Sequence, residues 1–130
     1  MEHFEMTRVV TADDLDDLNH VNNVRYVQWI QDISKVHWET YAPEAMRKEI
    51  VWVVKKHTIE YKSAAKLGDT ILMKTHIAMS EGAISTRIVQ MFDLKKNTLL
   101  VTAETEWFLL NAASFRPMRI SEDIRNVFVR

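Results

Sequence analysis

Residues 14–32 read DLDDLNHVNNVRYVQWIQD, and this stretch decides how the rest of the chain is read. Its first half is polar: Asp14, Asp16 and Asp17, then Asn19, His20, Asn22 and Asn23, interrupted by Leu15, Leu18 and Val21. Its second half opens an amphipathic helix. Tyr26, Ile30, Ile33, His37 and Tyr41 recur at spacings of three or four, and Trp29 and Val36 widen that stripe. The spacing predicts a helix from about Asn23 to Tyr41. Ala42-Pro43 ends it, because proline disfavours helical geometry in the residue before it. With Asn22 as the cap, Val21 stands just outside the helix and Tyr26 four residues inside, the arrangement of a hydrophobic staple. The N–H groups of Asn23, Val24 and Arg25 then lack helical partners, and the helix dipole adds positive potential there. Such an end suits an anion, or a carbonyl oxygen becoming one. Asp14, Asp16 and Asp17 lie just upstream, so a carboxylate stands beside an oxyanion-binding helix end. Hydrolysis of an activated acyl group needs that pair. Capping and turn formation account for any single Asp or Asn here, but the run exceeds what one helix start uses.

Outward from this stretch, residues 3–11 read as a strand, with Phe4 and Met6 alternating against Glu5 and Thr7. After the helix, PEAMRKE (43–49) adds one short helical turn. From Ile50 the period changes to two. VWVVKKHTIEYK and TILMKTHIAM are strand-like, and in the latter Ile71, Met73, Thr75, Ile77 and Met79 share a face. Glu81-Gly82 forms a tight hairpin turn into ISTRIVQMFDL, and Lys95-Lys96-Asn97 turns the chain into TLLVTAETEWFLL. SEDIRNVFVR reads as a short helix capped by Ser121. One strand, one long helix and four closely joined strands imply an α+β domain, an antiparallel sheet packed on a single helix. Nothing divides residues 1–130 into two domains, as no linker, repeat or low-complexity tract interrupts them. The helix is apolar over much of its circumference, with Trp29 and Trp38 near opposite ends. Its second side needs a curled sheet or another subunit, and a homodimer is expected on that ground.

Composition narrows the function. Hydrophobic residues are 47% and charged residues 27% of 130, ordinary for a soluble globular chain. A formal net charge of −1 argues against nucleic-acid or anionic-membrane partners. No apolar run approaches the ~20 residues a membrane span requires. The start, MEHFEMTRVV, carries acids where a secretory signal is basic. With no cysteine there is neither disulfide framework nor thiol nucleophile, and a cytoplasmic protein is expected. The five histidines, at 3, 20, 37, 57 and 76, form no metal-binding spacing, so no metal or other cofactor is expected. His37, on the apolar stripe, reads as a hydrogen-bonded core residue, and His57 and His76 as interface or surface residues. Met73, Met79 and Met91 read as core filler, and the paired lysines 55–56 and 95–96 as solvated edges.

The stretch DLDDLNHVNNVRYVQWIQD resembles the signature of hotdog-fold acyl thioesterases, the group containing 4-hydroxybenzoyl-CoA and acyl-ACP thioesterases. Asp14-Leu15-Asp16, His20-Val21-Asn22-Asn23, Tyr26 and Trp29 match in register. Tyr61, Ala65 and Gly68-Asp69-Thr70-Ile71 resemble the segment that opens the third strand of those proteins. The resemblance implies a hotdog fold, a curled antiparallel sheet of about five strands around one long helix. It implies an acyl-CoA or acyl-ACP substrate, a site completed by a partner subunit, and a homodimer or a dimer of dimers. It puts the catalytic carboxylate on Asp16 and the amide that polarises the thioester carbonyl on Asn23. Plant-type acyl-ACP thioesterases alternate aspartate, asparagine and histidine. Asp16 and His20 fit that alternation, whereas Leu18 stands where the asparagine would be. Many relatives have glycine before the histidine; Asn19 stands there and tolerates a left-handed backbone.

The expected reaction is metal-free thioester hydrolysis. Asp16 either attacks the carbonyl to give a mixed anhydride or deprotonates water. His20 orients the carboxylate or water, or moves a proton, its reference pKa being ~6.5. Asn22 and Tyr26 are expected on the substrate side of the loop and helix entry. Two other readings use the same fold: hydration or dehydration of enoyl thioesters, and a non-catalytic acyl-thioester-binding subunit.

Overall fold

Residues Asn23–Tyr41 form one nineteen-residue helix, α1, and every other element is arranged around it. The computed structural model describes residues 3–129. Before α1 come β1 (Phe4–Val9) and one 3-10 turn (Ala12–Asp14). After it come α2 (Glu44–Glu49), β2 (Ile50–Tyr61), β3 (Thr70–Glu81), β4 (Ile84–Asp93), β5 (Thr98–Asn111) and α3 (Glu122–Asn126). The five strands make one sheet in the order β1-β3-β4-β5-β2, and each neighbouring pair is antiparallel.

The alternation of inward and outward residues is cleanest in β4, where Ser85, Arg87, Val89, Met91 and Asp93 are buried. Ile71, Met73 and Thr75 of β3 and Val101, Ala103 and Thr105 of β5 continue that inner face. The face predicted for β3 runs too far. The register with β4 shifts between Ile77 and Met79, so Met79 is 57% exposed rather than in the core. A second shift leaves Lys55 of β2 unpaired between Val54 and Lys56, and a third leaves Leu100 of β5 unpaired opposite Met91 and Phe92. Each irregularity bends its strand, and bent strands let a single sheet curl.

The curl covers α1 on more than one side. Tyr26, Trp29, Ile30 and Ile33 pack with Ile71, Met73, Val89, Met91, Val101 and Ala103 in one cluster. Trp38 and Ala42 pack with Ile50, Leu109, Ile120, Ile124 and Val127 in a second. Both helix tryptophans are therefore buried within one chain, and a second subunit is not needed to cover them. His37, Thr75, Arg87 and Thr105 form a buried polar layer in the enclosed space. Asn22 caps α1 through its Oδ1, which accepts from Val24 N–H at 3.0 Å, and Ser121 caps α3 in the same way. Among the described residues no helix is long and apolar enough to cross a membrane.

Ile33 is fully enclosed, so Ile33→Ala leaves a cavity. The variant is expected to lose about 2–5 kcal/mol, read by urea unfolding as a lowered midpoint at unchanged slope.

Candidate active site

The polar run before α1 folds back on itself. Asp16 N–H donates to His20 O at 2.8 Å, Asn22 N–H to Asp14 O at 2.8 Å, and Leu15 pairs with Val21 as an isolated bridge. At the tip, Asn19 N–H donates to Asp16 O at 3.1 Å. Asn19 takes the left-handed conformation, φ 60°, for which its residue type is suited. The loop thus brings Asp16 against His20 and returns the chain to the start of α1.

The three acids do different work. Asp14 is buried and structural: its Oδ2 accepts from Thr11 N–H at 2.9 Å, and its Oδ1 lies 3.5 Å from Arg25 Nε. Arg25 Nη2 also donates to Asp13 O at 3.1 Å, which clamps the loop to the first turn of the helix. Asp17 is exposed. Asp16 is half-buried, and its Oδ1 accepts two backbone bonds, from Leu18 N–H at 2.9 Å and His20 N–H at 3.1 Å. Its Oδ2 has no hydrogen-bond partner among the described residues. One oxygen is pinned and the other is left over.

The helix start has the complementary vacancy. Val24 N–H is used by the Asn22 side chain and Arg25 N–H by Asn22 O, at 3.0 and 2.8 Å. Asn23 N–H has no protein acceptor among the described residues. Asn22 and Asn23 are exposed and His20 is half-buried. Around them the surface is apolar, with Leu18 74% and Val24 71% exposed, and Tyr61 and Leu67 also open to solvent.

Tyr26 points the other way. It is buried, and its hydroxyl oxygen accepts from Ala65 N–H at 3.0 Å. Val21 N–H donates to Ala65 O at 3.0 Å, and His20 bridges to Lys66. The segment between β2 and β3, which carries Ala65 and Gly68-Asp69, therefore packs directly on the loop. Asp69 Oδ2 closes that segment by accepting from Lys66 N–H at 2.9 Å, and Gly68 has φ 83°. Sequence reading treated these two stretches as separate matches; the structure joins them.

Burial is the main cause that pushes the Tyr26 hydroxyl above its ordinary pKa, with Asp69, Tyr61 and Asp16 adding to it against the Ala65 bond. His37 is in the core as expected: Arg87 Nη1 donates to its Nδ1 at 2.9 Å. His57 is half-buried on the edge strand β2. Its Nδ1 lies 2.8 Å from Thr105 Oγ1 on the inner face of the sheet, and burial lowers its pKa. Arg87 itself went unremarked in the sequence reading, although the period-two pattern of ISTRIVQMFD puts it on the same face as Val89 and Met91.

A family model described as the acyl-ACP thioesterase N-terminal domain matches residues 2–128. A curated relative, the chloroplastic acyl-[acyl-carrier-protein] hydrolase FATB3 of Cuphea viscosissima, is 28% identical over 87 residues, 67% of this chain. The matched part is 21% of that relative, so the chain spans about a fifth of its length. Among solved structures, a 1,4-dihydroxy-2-naphthoyl-CoA thioesterase from Synechocystis superposes with a TM-score of 0.84 at 13% identity, covering 98% of this chain and 96% of that one. The 12:0-ACP thioesterase from Umbellularia californica gives 0.82 at 16% identity, covering 98% of this chain and 51% of that one. At these identities the superpositions speak for the fold.

Tyr26→Phe leaves the Ala65 N–H buried without an acceptor and is expected to cost about 1–3 kcal/mol. A raised folded pKa contributes stability below the unfolded value of 10.0 that is lost as pH rises through the folded one. The wild-type advantage over Tyr26→Phe is therefore expected to shrink above pH 10.0 in urea titrations run at successive pH values.

Proposed function

Because the chain belongs to the acyl-ACP thioesterase family, we propose that it hydrolyses acyl thioesters of coenzyme A or acyl carrier protein with Asp16 as the reacting carboxylate. The observation that carries this reading is the divided environment of that side chain. Oδ1 is held by two backbone N–H groups, which fixes the carboxylate, and Oδ2 has no partner among the described residues. A fixed oxygen with a free lone pair suits either attack on a carbonyl carbon or removal of a proton from water. In the first route Oδ2 bonds to the acyl carbon, the C–S bond breaks, and water then cleaves the mixed anhydride. In the second, water adds directly as its proton moves to Oδ2, and the tetrahedral intermediate then collapses with cleavage of the C–S bond, the departing thiolate taking that proton.

Either route builds negative charge on the thioester oxygen. The open N–H of Asn23, at the positive end of a nineteen-residue helix, is the group we assign to that charge. His20 stands across the turn from Asp16 and is assigned to orienting water or relaying its proton. Asn22 holds the helix start through its side-chain cap. Tyr26 is assigned an indirect part: through Ala65 it braces the loop against the β2–β3 segment. The exposed apolar rim of Leu18, Val24, Tyr61 and Leu67 suits an acyl group or a second subunit.

A homodimer is part of this reading, on a ground different from the helix argument. β2 is a twelve-residue strand at the edge of the sheet, paired on one side only. An uncovered edge of that length is a template for pairing with a second copy. Sedimentation at micromolar concentration is expected to give twice the chain mass or a multiple of it; a monomer would reject the dimer.

Asp16→Asn tests the mechanism cleanly, because an amide oxygen still accepts from Leu18 and His20 N–H and keeps the turn. It is expected to lower kcat on short, medium, long and aromatic acyl-CoAs by ~10²–10⁴-fold without a change in Tm. Near-full turnover in the folded variant removes Asp16 from the chemistry. Single turnover in H₂¹⁸O that leaves label in the Asp16 carboxylate establishes the anhydride route, because general-base attack puts label only in the released acid.

A further inference from the structure

Between the second half of α1 and the inner face of β2, β4 and β5 lies a pocket of about 510 Å³. That volume is in the range of small-molecule sites. The pocket takes its α1 wall from Gln31 to Glu39, so it lies roughly 12–24 Å along the helix from the candidate oxyanion site at Asn23. Its walls are aromatic: Trp38, Trp52, Trp107 and Phe128. The Trp38 ring packs edge-on against Trp52 at 5.7 Å and lies 5.7 Å from Phe128.

One buried charge lines this pocket. Arg87 is 3% exposed, and no carboxylate among the described residues pairs with it. Its Nη1 donates to His37 Nδ1 and to Thr75 Oγ1, both at 2.9 Å, and its guanidinium carbon is 5.3 Å from the Phe128 ring centre. Nε and Nη2 have no hydrogen-bond partner among the described residues. The indole nitrogens of Trp52 and Trp107 are likewise buried without acceptors among them. Burial pushes the Arg87 pKa down to about 9, the response of a cation that has lost water and gained no counter-charge.

We propose that this pocket binds an organic monoanion with an apolar or aromatic body, its carboxylate taken by the free side of the Arg87 guanidinium and its body lying among the four rings. A planar fork of N–H donors matches a carboxylate in two parallel bonds. The single buried positive charge matches one negative charge, and the aromatic walls offer a phosphate little. At the outer part of the pocket Lys48 is paired with Glu44 at 3.3 Å, and Lys35, Glu39 and Arg47 are all less buried than Arg87, so the charge with least competition from water is the Arg87 guanidinium. Such a ligand has two sources: a free carboxylic acid, or the distal carboxylate of a dicarboxylic acyl thioester. The binding claim stands apart from the hydrolase reading, because it is measured without turnover.

The test uses the whole chain and two matched pairs, 4-phenylbutanoate with 4-phenylbutanamide and decanoate with decanamide, followed by tryptophan fluorescence and thermal shift. The acids are expected to bind at least ~10-fold more tightly than their amides, an ordinary increment for one charge-assisted bond. Arg87→Gln is expected to erase that preference while amide binding persists, and Arg87→Lys to keep part of it. Equal binding of acid and amide by the wild type, or no binding of any of the four, overturns the proposal even if Arg87→Gln does not fold. A preference that survives in folded Arg87→Gln overturns it as well. Hydrolysis of mono-CoA esters of dicarboxylic acids against monocarboxylic esters of equal length separates the sources. A kcat/KM preference lost in Arg87→Gln assigns the distal carboxylate, and acid binding without that preference assigns the free acid. If no ester is hydrolysed, the hydrolase reading fails while the acid–amide result still decides the pocket.

Discussion

A nineteen-residue helix carrying two tryptophans must be enclosed, and this requirement shapes the molecule. A flat sheet would bury one flank of α1 and leave Trp29 or Trp38 in water. The register shifts in β2, β3 and β5 let five strands curl, so that both rings lie inside one chain. The curl has a cost at Met79, which it turns outward. It also leaves the inner face longer than the apolar part of the helix fills. The polar layer of His37, Thr75, Arg87 and Thr105 and the aromatic pocket occupy that remainder.

The start of α1 shows how a run of capping residues divides its labour. Asn22 takes the cap, Asp14 ties the preceding turn to Thr11 and Arg25, and Asn19 supplies the left-handed corner. Asp16 has one oxygen pinned by the backbone and the other without a partner, and Asn23 keeps an open N–H at the helix end, among the described residues. Asp17 also has no partner among them, but it is exposed and nothing fixes it, so Asp16 is the acid of the run that is both held in place and left with a free oxygen. A single carboxylate and a single helix end are what a metal-free acyl transfer asks of a protein.

Much of this was legible in the residues. The 3.6-residue period from Tyr26 to Tyr41, the Ala42-Pro43 stop, and the change to period two at Ile50 place α1 and the later strands nearly at their observed limits. Turn residues did the same for the two hairpins: Gly82 and Asn97 both have positive φ where the chain reverses. What failed were properties of pairing rather than of local pattern. A register shift between Ile77 and Met79 leaves no mark in the alternation of β3, so Met79 was assigned to the core. The contact of His57 with Thr105 was not legible either, because it depends on which strands meet. Arg87 was readable in principle, sitting in phase with Val89 and Met91, but alternation says which face a residue shares and nothing about whether a counter-charge awaits it there. The two motif segments were each visible, and their contact through Tyr26 and Ala65 was not.

That contact ties the order of folding to function. The Asp16 loop is held locally by three backbone bonds within residues 14–22, two side-chain bonds at its tip and the ties of Asp14 and Asp13 to Thr11 and Arg25, and at longer range by Ala65 and Lys66 some forty residues later. In the growing chain those partners arrive only after α1, α2 and β2 have been made, and the β2–β3 segment is held in turn by β1 through Val10 and Gly68. The loop is therefore completed with the sheet and not by the helix alone. A nascent chain ending inside β2 carries Asp16, His20 and Asn23 with their local turn and cap, but lacks the Ala65–Lys66 brace and Leu67 of the rim, so the whole site is assembled only on a chain already committed to its fold.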